Sequence, residues 1–219
     1  EMNMHVVQSE EALAEADVLM KVQEHILSPR FGGPIIGAIQ DHISGTYLLT
    51  HDDNRFDEAT VLDLLRQTSV NDLPEPAGTE DGDPYWTGAE VFSVLLPDGL
   101  DITFESSAGD EVIIEDGQLV EGTIDEMAVG SFVGEIVETT AKIYDENRAR
   151  QFIDDVASLA VRSIMHFGFS FGISDEDLPN EARAEIDDAI DDAEQEVERL
   201  IETYERGELE SLPGRTLEE

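Results

Sequence analysis

The chain has 219 residues, 52 Asp plus Glu against 12 Lys plus Arg, a net charge of −40 and 40% hydrophobic residues. No window offers the basic stripe that a free-standing nucleic-acid binder or a membrane-surface module needs, and the hydrophobic content is too high for intrinsic disorder. The absence of cysteine excludes disulfides, thiolate nucleophiles and Cys-ligated zinc.

A first helix is predicted from Ser9, a capping residue, with Glu10 and Glu11 at its positive end and Leu13, Ala16, Met20 and Ile26 along one face. It should stop before Ser28-Pro29, because a residue preceding proline is pushed out of the helical region. Arg30 to Asp41 is rich in Gly and Pro and reads as a tight, buried, irregular or β path rather than a helix. Its small residues, continuing to Gly45, imply close backbone packing. A short helix over 58–67 is capped by Asp57, with Val61, Leu64 and Leu65 inward. Residues 71–85 read as a surface loop by composition. Thr87-Gly88-Ala89-Glu90 spells a capping box that opens a helix to about Leu96, which Pro97 stops.

Over 101–129 the hydrophobic period becomes two. Val112 to Glu115, Asp116-Gly117 and Gln118 to Val120 form a hairpin pattern on a two-residue turn. Helices follow over 132–143 and 146–167, the second with Phe152, Val156, Leu159, Ala160 and Phe167 inward and Gly168 at its end. A last helix is expected over 179–206. Its apolar residues Ile186, Ile190, Ala193, Val197, Leu200 and Tyr204 step by three and four. That narrow seam suits pairing with another helix.

Apparent catalytic motifs fail on context. Gly168-Phe169-Ser170-Phe171-Gly172 matches a hydrolase nucleophile pattern, but it follows a helix and no histidine lies downstream. The histidines at 5, 25, 42, 51 and 166 lack the spacing that puts two ligands on one helical face. His51-Asp52-Asp53 reads as a polar turn, and Asp81-Gly82-Asp83 lacks the remainder of a calcium loop. Asp187, Asp188, Asp191 and Asp192 belong to a solvated helix face. No apolar run is long enough to span a membrane, and residues 1–20 have no signal-peptide pattern, so the cytoplasm is the expected location. The acid itself reads as a solvated coat, since molar salt shortens the Debye length to about 3 Å and screens the self-repulsion. Recognition of a basic partner is the alternative. A coat rich in Asp and Glu and poor in Lys resembles the proteins of salt-accumulating haloarchaea.

One set of landmarks is more specific. Glu1-Met2-Asn3-Met4-His5, Gln8-Ser9-Glu10-Glu11, Ser28-Pro29, Pro34-Ile35-Ile36-Gly37, Gln40-Asp41, Gly45 and Thr50 resemble the largest subunit of multisubunit RNA polymerases in its archaeal A′ form. The similar region directly follows the Asn-Ala-Asp-Phe-Asp-Gly-Asp loop. Gly168 to Ile173 resembles the family's G-F-S-x-G-I-G-D, with Ser174 departing from it, and Leu212-Pro213-Gly214-Arg215-Thr216-Leu217 resembles the segment after the first funnel helix.

The resemblance implies an α+β fold in three parts. Residues 1–26 would end the active-site barrel domain, 27–170 would form the pore domain, and 171–219 would begin the funnel. It implies DNA-directed RNA synthesis by the complete enzyme, with catalytic magnesium held by aspartates upstream of Glu1 and no catalytic residue in this chain. Glu1, Asn3, His5, Gln40 and Asp41 would support the pore and active site, with Gln40 and Asp41 expected as buried, satisfied polar residues and substrate contact as the alternative. Implied partners are the other subunits, template DNA, RNA, nucleoside triphosphates entering through the pore, and transcript-cleavage factors at the funnel. The rival reading is a stand-alone acidic interaction module that pairs through its last helix.

Overall fold

The computed structural model describes residues 3–52 and 54–208. The chain divides into two compact units, Glu1–Phe169 and Ser170–Glu219. Among the described residues it has eight α-helices and two small antiparallel sheets, an α+β arrangement as expected.

In the first unit, α1 (Glu10–Leu19) is capped by Ser9, whose hydroxyl accepts the Ala12 N–H. The helix is shorter than its apolar pattern suggests. Met20 leaves the helical region, the His25 ring bonds the Leu19 carbonyl at 2.8 Å, and a 3-10 turn, Val22–His25, follows. This break delivers Ile26 to the core at 2% exposure. No residue of α1 is buried, so Leu13 and Met20 do not form the inward face expected of them.

The helix α2 (Asp41–Thr50) has no counterpart in the sequence reading, because Ser44, Gly45 and Thr46 are poor helix formers. Tertiary contact overrides propensity here. A Cβ at Gly45 would lie 2.1 Å from the Ala160 carbonyl oxygen, and one at Gly88 would lie 1.8 Å from the Leu49 carbonyl oxygen. Two neighbouring elements therefore meet α2 backbone to backbone. Thr50 adds a tie, its hydroxyl accepting the Ile124 N–H at 2.9 Å.

Helix α3 (Glu58–Leu65) follows the sequence closely. Asp57 accepts the Thr60 N–H at 2.8 Å, and Val61, Leu64 and Leu65 are buried. The stretch 71–85, expected as loop, contains the hairpin β1 (Gly78–Glu80) and β2 (Asp83–Tyr85). Its Asp81-Gly82 turn has φ of 53° and 99°, the doubly left-handed geometry that closes tight hairpins. Strands of three residues, with no buried positions, carry too little alternation to be read. Beside them Trp86 is buried and donates Nε1–H to the Pro74 carbonyl at 2.9 Å.

Helix α4 (Gly88–Ser93) opens on the expected box, the Glu90 carboxylate accepting the Thr87 N–H at 2.7 Å. It ends at Ser93, earlier than expected. The strands β3 (Ile102–Glu105), β4 (Glu111–Glu115) and β5 (Gln118–Glu121) form the second sheet in that order, with Asp116-Gly117 as the turn and Val112 and Ile114 buried. Residues 126–129, within the stretch read as extended, form a single-turn helix, α5 (Glu126–Val129). Asp125 caps it through one carboxylate oxygen and accepts the Ser107 N–H with the other.

Helices α6 (Glu135–Ile143) and α7 (Glu146–Phe167) complete this unit. α7 runs through the core and buries Phe152, Val156, Leu159 and Ala160 as expected, and Gly168 ends it at a φ of 74°. Phe92 meets Phe152 edge to face at 6.3 Å. Asp155, only 5% exposed, accepts the Ser69 N–H at 2.7 Å and the Ser69 hydroxyl at 2.6 Å, fastening the chain that leaves α3 to α7.

The second unit contains a 3-10 turn, Ile173–Glu176, and α8 (Asn180–Glu205), with Pro179 just ahead of it and Gly207 just beyond. The seam residues Ile186, Ile190, Val197, Leu200 and Tyr204 are exposed.

Candidate functional site

The glycine-rich segment builds the site. The Leu27–Pro34 bridge closes a small loop in which Ser28 N–H donates to the Gly33 carbonyl and Gly32 N–H to the Ser28 carbonyl, both at 2.8 Å. The Ser28 hydroxyl accepts the Arg30 N–H at 3.1 Å. These bonds satisfy the loop's backbone within the loop itself, so Arg30 and Phe31 are exposed where burial was expected, and only Gly33, Pro34 and Ala38 of the segment are buried.

From Pro34 the chain forms a strap across the turn after α5. Ala38 N–H donates to the Val129 carbonyl at 2.7 Å, Ser131 N–H to the Ala38 carbonyl at 3.2 Å, and Phe132 N–H to the Pro34 carbonyl at 2.9 Å. A Cβ at Gly37 would sit 2.6 Å from the Gly130 carbonyl, so the two backbones could not approach this way with any larger residue. The expectation of close packing by small residues holds at Gly37 and Gly45.

The strap ends in a strained residue. Gln40 has φ 48° and ψ −118°, a region costly for any side chain, at about 1–3 kcal/mol. Its carbonyl accepts the Ile43 and Ser44 N–H groups at 3.0 and 3.1 Å, which starts α2. Asp41 is the first residue of that helix, where the dipole favours a negative charge. Across the strap, Phe132 also has a positive φ, 72°, and is 64% exposed.

The structure corrects the burial expected of Gln40 and Asp41: both are exposed, and the Gln40 side chain makes no hydrogen bond. The chain must reverse at residue 40 to enter α2, and that reversal turns both side chains to solvent. Asn3 and His5 lie on an extended segment before α1, exposed, with no hydrogen bond or ion pair to the strap. Glu1 and the Leu212 to Leu217 landmark lie outside the described residues. Sequence reasoning missed Phe132, whose signal is the flanking Gly130 and Gly134 that let the turn form.

The other motifs gather nothing. Ser170 follows a helix and precedes a 3-10 turn, not a strand-to-helix elbow. His51 ends α2 and stacks on Tyr47 at 4.5 Å. Among the described residues no three His, Asp or Glu side chains converge as an ion site, and Asp41 is the only carboxylate on the strap.

The sequence profile of the family described as RNA polymerase Rpb1, domain 3, matches residues 25–176. The chain belongs to that family. The Rpb1 domain 3 match begins beside Ile26, the first buried residue of the described chain. Similar proteins named DNA-directed RNA polymerase subunit Rpo1N align with all of the chain. That of Halobacterium salinarum is 64% identical over 220 positions and is covered to 23% of its length. Those of Methanothermobacter thermautotrophicus and Methanocaldococcus jannaschii are 48% and 47% identical and covered to 26% and 17%. The chain spans about a quarter or less of these relatives.

Proposed function

We propose that this Rpb1 domain 3 chain is the portion of a haloarchaeal RNA polymerase largest subunit that follows the magnesium-binding aspartate loop. It supports the active site and lines the pore through which nucleotides enter. Residues 1–26 end the active-site barrel, 27–170 form the pore domain and 171–219 begin the funnel. The complete enzyme polymerises nucleoside triphosphates on template DNA in the cytoplasm, with magnesium ligands upstream of Glu1 and this chain supplying scaffold. Its partners are the other subunits, DNA, RNA, nucleotides, and cleavage factors at the funnel. No described helix is long and apolar enough to cross a membrane.

The observation that carries this reading is the strap Pro34–Asp41. It is fixed backbone to backbone and holds exposed Gln40 in a strained conformation at the mouth of α2. Such over-determined backbone is characteristic of positions that hold a functional geometry. Asn3, His5, Gln40 and Asp41, with Glu1, are assigned to positioning rather than chemistry. The test is a reconstituted polymerase carrying Gln40→Ala with Asp41→Ala. It should assemble normally and elongate several-fold more slowly; wild-type elongation would remove the strap from the active-site support. The upstream reading frame gives a second check, since the family resemblance puts Asp-Phe-Asp-Gly-Asp just ahead of Glu1.

The exposed seam of α8 favours the second reading, a stand-alone acidic module. That reading requires the isolated chain to form a stable monomer or homodimer in molar salt with α8 paired. Co-purification of the chain with polymerase subunits excludes it.

A further inference from the structure

The acidic coat is uneven. Residues 25–40, 42–51, 127–134 and 156–169 contain none of the 52 acidic residues, and Asp41 alone interrupts the first two runs. These runs are distant in sequence, yet the fold brings them together. The first is hydrogen-bonded to the third through Ala38, Val129 and Ser131. The second meets the fourth where Gly45 touches Ala160. Gly37, His42, Val129, Val156 and Ala157, drawn from all four, line a single cavity of about 100 Å³.

Core residues are mostly uncharged in any protein, so the deciding fact is exposure. Phe31 is 53% exposed, Ile39 53%, Phe132 64% and Met165 71%, with Ile35 and Val133 also at the surface. From Ile26 to Phe169 most of the exposed large hydrophobic residues fall within these acid-free runs. Arg30 fits the same pattern: its guanidinium pairs with no carboxylate, although acids outnumber bases more than four to one. Exposed apolar residues concentrated where the coat is missing, on segments that the fold packs together, are the mark of a surface that is not left in water.

We infer that this acid-free face, built by the strap, α2, the turn at 130–134 and the distal half of α7, is an internal docking surface. It is covered by an apolar, weakly charged segment of the same, longer polypeptide. The inference rests on the polymerase-subunit reading. The occupant follows from chain length, since about three quarters or more of each relative lies outside the aligned stretch. It follows also from chemistry: a phosphate-rich partner would need more than one unpaired cation, and an apolar area suits an apolar protein segment.

The chain's lack of cysteine makes the test direct. Ile39→Cys and Met165→Cys on the face, and Leu62→Cys and Val120→Cys on acid-rich surface, are each introduced into the full-length subunit of the assembled polymerase. Maleimide labelling in molar salt is then read by peptide mass spectrometry. The face positions should label at least about tenfold more slowly than Leu62→Cys and Val120→Cys. A photo-cross-linking residue replacing Phe132 should join to a distant stretch of the same polypeptide. An assembled, transcribing enzyme in which all four cysteines label alike overturns this inference while leaving the polymerase reading intact, as do cross-links to nucleic acid or to a second copy. A chain that does not assemble with polymerase subunits overturns both.

Discussion

Gly45 illustrates how a single atom decides a position. An added Cβ would press on the Ala160 carbonyl at 2.1 Å, with no flexible side chain to yield. Gly45→Ala should therefore destabilise by about 2–3 kcal/mol despite alanine's better helix propensity; urea unfolding in molar KCl measures it, and an unchanged midpoint refutes it. Asp155 acts oppositely, through bonds it makes. Its carboxylate holds both the N–H and the hydroxyl of Ser69. Asp155→Ala should cost about 2–3 kcal/mol, since charged hydrogen bonds are lost and a backbone donor loses its partner, and hydrogen exchange at Ser69 should rise with it. Gln40 separates stability from role. Gln40→Gly relieves backbone strain of about 1–3 kcal/mol at an entropic cost of about 0.5–1 kcal/mol. The variant should melt no lower than wild type, and the active-site reading requires it to elongate more slowly.

At the scale of elements, α3 offers a pH-dependent cap. Hydrogen bonds from the Thr60 side chain and then its backbone N–H hold the Asp57 carboxyl below the usual carboxylate range. A depressed folded value means the cap's contribution is complete above the unfolded carboxylate range and is lost as pH falls through the folded value. Protection of the Thr60 amide, its exchange measured against the intrinsic rate at each pH, should fall only below about pH 4, where unfolded aspartate begins to protonate, and Asp57→Asn should flatten that profile. Caps of this kind made α3 and the start of α1 legible from sequence, as the 22-residue amphipathic stretch did for α7. The Asp116-Gly117 turn likewise announced the β4–β5 hairpin. What escaped was structure imposed from elsewhere. α2 is a helix of poor formers placed by its neighbours, α5 is one turn held by Asp125, and β1–β2 is too short to alternate. The family landmarks located the candidate strap, but the exposure of Gln40 and Asp41 depended on a chain reversal that no local pattern encodes.

For the whole molecule the charge of −40 governs the conditions of folding. At 0.1 M salt the Debye length is about 10 Å and like charges across the surface repel; at 1 M it is about 3 Å. The melting temperature should climb steeply as KCl rises from 0.1 M to 2 M, and a flat profile would separate the acid from halophilic adaptation. The same coat is compatible with the proposed polymerase role, in which it would solvate a scaffold rather than meet nucleic acid. Contact at the centre of that scaffold has a mechanical consequence. Gly45 bears on the carbonyl of Ala160 in α7, and Gly88, at the start of α4, bears on the carbonyl of Leu49. At these two points no side chain separates the helices, so little there can yield to a push. A displacement of α7 should therefore be felt by α2 and, through Leu49, by α4, and the strap carrying Gln40, which opens α2, should shift with them.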